Sequence, residues 1–341
     1  MKKETTVFAA LLYLSCILSC DTKKIEDSEV RQSANFSTIA FGSCNKHNLP
    51  QPLWKPILEE EPDLWIWLGD NVYGDTPDMD LLESKYELQY NQEDYVKIRQ
   101  NMKVIGIWDD HDYGINDGGV NYAQKGDSQQ LMLDFLDEPE NSDRRNRKGA
   151  YAAYTFGEGD QKVNIYLLDA RYHRDTLLKV DGSYIPNLEG TVLGEEQWTW
   201  LETELISTDA AINIIASGIQ FIADEHAFEK WANFPNERER LMNLIADSGI
   251  NSPVILSGDR HIAEIAKTTL PNGQDIYEVT SSGLTHTWKE WRPEPNRYRI
   301  AGDHVAELHY GLLSVDWAEK VMNISIKGAN REEFTSLEIP F

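Results

Sequence analysis

The chain has 341 residues, 41% hydrophobic and 26% charged, with a formal net charge of −25. That length suits one large α/β domain or two smaller ones. So acidic a balance excludes a surface built to track a phosphate backbone, which needs a basic face. The excess carboxylates serve solubility or offset bound cations.

Lys2 and Lys3 open the chain and precede the apolar run VFAALLYLSCILS, too short to span a bilayer as a permanent helix. The run closes on ILSC, which resembles the lipobox of bacterial lipoproteins. Residues 1–19 are therefore expected to be a lipoprotein signal peptide and Cys20 the lipidated first residue of an exported, membrane-anchored protein at the periplasm or cell surface. An ordinary signal peptide or a short anchor is the alternative. Residues 20–35 are polar and aperiodic and read as a tether, which leaves 36–341 for the folded domain. Of three cysteines only Cys44 then remains, so the mature chain has no intramolecular disulfide. Cys44 is either buried and inert or ligated.

From Phe36 onward, short apolar runs alternate with helical patterns. STIAFGSC reads as a strand, followed by a helix near PLWKPILEE. DLWIWLGD is a second strand, then a long polar helical region from about Met79 to Asn101, then a third strand at VIGIWDD. VNIYLLDAR, AINIIASGIQ and SPVILSGDRH repeat the strand pattern, with helices at EEQWTWLETELIS and NERERLMNLIADSG. Near-continuous apolar runs are expected of strands buried on both faces. The end, GLLSVDW to VMNISIKG, alternates like paired strands. Trp65, Trp67, Trp198 and Trp200 fall in these patterns and are expected in the core; Trp108, Trp231 and Trp288 lie nearer the site loops.

Run after run ends on a polar or ligating residue: Cys44, Asp70, Asp109 to Asp112, Asp169, Gln220, Asp259 and His261. In open α/β sheets the carboxyl ends of strands converge on one crevice. Clustered acids need a counter-charge, and multivalent cations supply it. Oxygen donors favour hard ions such as Ca²⁺, Mg²⁺ or Fe³⁺, while added His and Cys widen the choice. In GDNVY, Asp70 can bridge two metals and Tyr73 can ligate as phenolate, which suits Fe³⁺ because a phenol ionises only near pH 10 in water. The structural alternatives are a helix cap for Asp70 and a packed loop aromatic for Tyr73. In GDRH, alternation places Asp259 and His261 on one side and turns Arg260 the other way, toward an ion-pair partner.

GSCN, GDNVY, WDDHD, SGIQ and GDRH, in that order, together with WANFPNERERL and TSSGLTHTW, resemble the alkaline phosphatase D (PhoD-like) family of metallophosphoesterases. The resemblance covers nearly the whole chain from residue 36. It implies a four-layer α-β-β-α metallophosphoesterase sandwich, with Fe³⁺ and Ca²⁺ at the carboxyl edge of the sheets, other divalent metals being possible. Cys44, Asp70, Tyr73, Asp259 and His261 then fall on the iron side. Asp109, Asp110, Asp112 and Asn116 fall near the calcium side, with Asp117 as the alternative to Asn116. The N-terminal β-sandwich of some members is expected to be absent.

The resemblance further implies hydrolysis of phosphate mono- or diesters by a metal-activated hydroxide, with His111 stabilising or protonating the leaving oxygen. Arg171, with Arg174 behind it, is a candidate phosphate clamp; pairing with Asp169 is the alternative. Asn45, Gln220 and His286 are expected to line the substrate cleft. Two rival readings are a hydrolase with a Ser or Thr nucleophile, for which Thr76 is available, and a non-catalytic metal-binding surface lipoprotein.

Overall fold

The computed structural model describes residues 36–289 and 294–341. The expected signal peptide, Cys20 and the tether lie outside the described residues. In chain order the elements are β1 (Thr38–Gly42), α1 (Trp54–Glu59), β2 (Leu64–Leu68), α2 (Met79–Tyr90), α3 (Glu93–Asn101), β3 (Lys103–Ile107), α4 (Asp110–Tyr113), α5 (Lys125–Phe135) and α6 (Asp143–Asn146). There follow β4 (Ala152–Phe156), β5 (Val163–Leu168), β6 (Leu178–Val180), β7 (Ser183–Ile185), α7 (Gly194–Ser207), β8 (Ile212–Ser217), α8 (Pro235–Ser248) and β9 (Pro253–Ser257). The chain closes with β10 (Ala263–Thr269), β11 (Asp275–Ser281), β12 (Arg299–Val305), β13 (Tyr310–Asp316), β14 (Val321–Lys327) and β15 (Glu333–Pro340).

The strands form two mixed sheets, ordered β15-β14-β13-β1-β2-β3 and β12-β10-β11-β9-β8-β5-β4, plus the small hairpin β6-β7. β1, β2 and β3 run parallel, as do β5, β8, β9 and β11. Antiparallel strands complete each sheet, β13 beside β1 and β4 beside β5.

Side-chain alternation turns these sheets into four layers. On β5, Ile165 and Leu167 join the cluster that holds Ile66 and Leu68 of the other sheet, while Tyr166 and Leu168 join Trp198 and Leu201 of α7 and Leu241 and Ile245 of α8. The first cluster fills the space between the sheets; the second lies under α7 and α8. On β2, Trp65 and Trp67 alternate with the inward residues and meet Trp54 of α1, with ring centroids 5.0 and 5.4 Å away. Tyr95 of α3 and Phe135 of α5 close over Trp67. Fully buried Trp side chains of this kind cost about 3–5 kcal/mol to truncate to Ala.

Two expectations are corrected. The polar stretch from Met79 to Asn101 is two helices, because Gln92 is extended (φ −62°, ψ 128°) and its side chain caps α3 by accepting the Tyr95 N–H at 2.6 Å. That break turns Tyr95 and Ile98 inward. Trp200, expected in the core, is only partly buried, against Tyr151, while Trp108 and Trp231 are fully buried, Trp108 in the loop between β3 and α4 directly before Asp109.

Candidate metal centre

The carboxyl ends of β1, β2, β3, β8 and β9 are drawn to one point by tight turns. Cys44 (φ 60°), Asp70 (φ 52°), Asp117 (φ 52°), Asp259 (φ 66°) and His261 (φ 54°) all adopt left-handed backbone conformations. Such conformations cost non-glycine residues about 1 kcal/mol or more each and persist only where the surroundings enforce them. Two glycines admit the close approach. A Cβ on Gly69 (φ 94°) would meet Asp109 Cβ at 2.4 Å, and one on Gly218 would meet Asp109 Oδ1 at 2.4 Å.

Asp112 locks the loops after β2 and β3 together. Its carboxylate accepts N–H groups from Asp109 at 2.7 Å, Asn71 at 3.1 Å and Asp70 at 3.2 Å, and the Tyr86 hydroxyl at 3.4 Å. Both oxygens are thus engaged by the backbone, which corrects the expectation that Asp112 faces a calcium ion. It holds the ligand loops instead.

The remaining acids and soft donors converge. Asp70 Oδ2 lies 3.4 Å from Cys44 Sγ and 3.3 Å from the Tyr73 hydroxyl, which is 3.0 Å from His261 Nε2. Ligand atoms of Cys44, Asp70 and His261 lie within 4.8 Å of one another, and so do those of Asp70, Asp110 and His111, of Asp109, Asp110 and Asp259, and of Asp110, Asp117 and Glu229. Asp70 belongs to two of these groups and Asp110 to three, the sharing expected of a multinuclear site. Asp109 Oδ2, Asp110 Oδ1 and His261 Nδ1 are buried without a hydrogen-bond partner. An orphaned buried carboxylate oxygen is costly unless a cation takes it. The donor set therefore fits bound metals: thiolate, phenolate, imidazole and carboxylate on one side, carboxylates alone on the other.

Electrostatics agree. Burial raises Asp70 and Asp109 well above the usual carboxylate range, against the pull of His111 on the first and Arg171 on the second. Burial and then the charges of Asp70 and Asp259 push the Cys44 thiol up, and burial lifts Asp259 to about 7. Burial also opposes ionisation of Asp110, but Arg171, His111 and the Asp117 N–H outweigh it and hold that carboxyl below its ordinary value.

Arg171 is fully buried, its Nε 2.6 Å from Asp109 Oδ1 and its Nη1 2.7 Å from Glu229 Oε2. Asp169, its expected alternative partner, instead accepts the backbone N–H groups of Ala150, Arg171 and Tyr172. Arg174 is bound to Glu229 at 2.8 Å. The clamp expectation is thus corrected: both guanidiniums neutralise acids. Asn116 is exposed, whereas Asp117 is half-buried and joins Asp110 and Glu229. Asn45 donates to Asn71 O at 3.1 Å and Gln89 Oε1 at 2.7 Å, and Gln220 to Glu264 and Thr280, so both are inward structural residues rather than cleft-lining ones. His286 Nε2 sits 3.0 Å from the Tyr73 hydroxyl, at the edge of the cluster. Arg260 pairs with Glu294 and, at 3.8 Å, with Asp259. Glu229 was not anticipated: it lies beyond no apolar strand, and the sequence carries no local signal for it.

The family model of the PhoD-like phosphatases matches residues 39–307. The chain is similar to alkaline phosphatase D of Bacillus subtilis (strain 168), 24% identical over an alignment covering 66% of this chain and 46% of that protein. It thus spans about half the length of that curated relative. Among solved structures it is similar to PhoD (TM-score 0.71, 18% identity, 89% of this chain and 69% of that one). It is also similar to a dimetal phosphatase from Danio rerio (TM-score 0.55, 13% identity, 90% and 99%) and to GAP50, the anchor in the inner membrane complex of Plasmodium (TM-score 0.58, 12% identity, 89% of each). These likenesses carry the fold, an α/β metallophosphoesterase-like arrangement of two mixed sheets.

Proposed function

The chain belongs to the PhoD-like phosphatase family, and from that premise we propose that it is an exported, metal-dependent hydrolase of phosphate mono- or diesters. The observation that supports it best is the overlap of four potential ligand groups through Asp70 and Asp110 at one sheet edge. Cys44, Asp70, Tyr73 and His261 would hold an Fe³⁺-like ion; Asp109, Asp110 and Asp259, with Asp117 and Glu229, would hold Ca²⁺-like ions. Bound cations supply Lewis acidity toward the phosphoryl oxygens and make a water molecule acidic enough to attack phosphorus. The lipid anchor and the export route rest on the ILSC sequence and Cys20.

His111 is the proton donor of this reading. Its Nδ1 is engaged by Asp75 at 2.6 Å, which leaves Nε2 for the leaving oxygen. In the metal-free fold burial lowers its pKa, but the charges of Asp70, Asp75 and Asp110 outweigh that and raise it to about 10. Thr76 is a poor nucleophile by comparison: it is buried, and its hydroxyl oxygen accepts the Asp78 N–H at 3.1 Å. The decisive experiment is turnover of para-nitrophenyl phosphate and its bis-ester by purified protein of known metal content. Asp70→Ala should abolish both activities and strip metal. Retained activity, or trapping of a phosphorylated enzyme, overturns the reading.

A further inference from the structure

An acidic site that binds an anionic ester needs positive charge besides its metals. The basic side chains around the cluster are nearly all committed to protein partners. Arg171, Arg174 and Arg260 are paired with Asp109, Glu229 and Glu294. Lys85 donates to the carbonyls of Tyr73 at 3.1 Å and Gly74 at 2.6 Å, and Lys230 to those of His226 and Phe228.

Lys46 is different. It stands two residues after Cys44 in GSCNK, and its backbone N–H donates to Thr285 Oγ1 at 2.8 Å, which fixes its root beside the cluster. It is half-buried, and its ammonium lies 5.1 Å from the centroid of the Tyr73 ring. That ring stacks on His111 at 4.1 Å, and its hydroxyl is 3.3 Å from Asp70. Among the described residues the ammonium has no carboxylate or carbonyl partner, although the chain carries 57 acidic side chains against 32 basic ones.

We propose that Lys46 is the phosphate-binding cation of this site, in contact with a non-bridging phosphoryl oxygen, and that it favours the dianionic monoester over the monoanionic diester. The proposal rests on the hydrolase reading and adds a choice of substrate to it. A point charge gains roughly twice as much from two negative charges as from one, and an ammonium–phosphate hydrogen bond is of the strong, charge-assisted kind. The cation–π contact with the Tyr73 face engages the ammonium only weakly and takes up none of its carboxylate- or phosphate-binding capacity.

The test compares the metal-loaded wild type with Lys46→Met and Lys46→Arg. Lys46→Met should lower kcat/KM for para-nitrophenyl phosphate by about tenfold to a hundredfold and for the bis-ester by less than about threefold. Inorganic phosphate should bind about tenfold more weakly by calorimetry, metal content should be unchanged, and Lys46→Arg should recover most of the loss. Equal losses on both esters, unchanged phosphate affinity, or loss of metal in Lys46→Met would overturn the proposal. If the wild type hydrolyses neither ester, the hydrolase reading fails on its own account. Phosphate affinity then still decides Lys46: an affinity that Lys46→Met leaves unchanged overturns its role.

Discussion

His111 Nδ1 and Asp75 Oδ1 lie 2.6 Å apart, with Asp75 in the left-handed conformation (φ 47°) that turns its carboxylate back toward the imidazole. This contact and the stacking on Tyr73 fix the ring plane and keep Nε2 free to face the leaving oxygen. Asp75→Asn should therefore lower kcat by about ten- to a hundredfold on esters with poor, alkyl leaving groups. It should matter far less for para-nitrophenolate, which departs without a proton. A uniform loss across leaving groups would assign Asp75 to folding alone.

Arg171 is the counter-ion of two buried acids, Asp109 and Glu229. Arg171→Met leaves Asp109 without its counter-ion and Glu229 with Arg174 alone, at a cost of about 3–5 kcal/mol, measured by denaturant unfolding of the metal-free chain. Added divalent cation should recover part of that loss. A phosphate clamp would behave differently, raising KM with stability intact.

Metal removal should bite hardest at neutral pH. Burial lifts Asp259 to about 7 and raises Asp70 and Asp109. An acid whose folded pKa is raised keeps its proton in the fold after the unfolded chain has released it. The metal-free fold therefore loses stability as pH rises from about 4 toward about 7. Cations restore the ionised forms. The Tm gap between metal-loaded and chelated protein should widen over that range; a gap that stays constant counts against metal binding by these acids.

A second pH effect lies away from the metals. His309 is fully buried, accepts the Ser282 N–H at 3.0 Å on Nε2 and donates from Nδ1 to Glu307 O at 2.8 Å. Burial holds it down to about 4 from an ordinary 6.5. Below pH 6.5 the unfolded chain takes up a proton that the fold refuses. The stabilisation present above that pH is lost on acidification toward 4, on the order of 3 kcal/mol in all. His309→Gln keeps one donor and one acceptor, so its melting temperature should fall less steeply with acid than that of the wild type.

The strand ends made most of the site legible in the sequence. The parallel strands announce themselves as apolar runs, and the residues just past each run land at one edge. That brings Cys44, Asp70, Asp109, Asp110, Asp259 and His261 together. The same rule cannot say what an acid does once there. Asp112 and Asp169 have the composition of ligands, yet they serve backbone N–H groups, as short polar side chains do at turns. Glu229 comes from a loop without periodicity, and Lys46 reads as any surface lysine until Tyr73 is seen beneath it. Arg171 looked available because a sequence shows the fork and not the two acids that close on it.

The first sheet sets β1 between β2 and β13, with Thr38 opposite Ser314. The earliest described strand is therefore flanked by one of the last. Bringing two such distant segments together is entropically slow, and chains of high contact order fold late. During synthesis Cys44 and Asp70 emerge long before β13, the second of the two strands that brace β1. The sheet edge on which the ligand loops stand is therefore complete only once nearly the whole polypeptide is available.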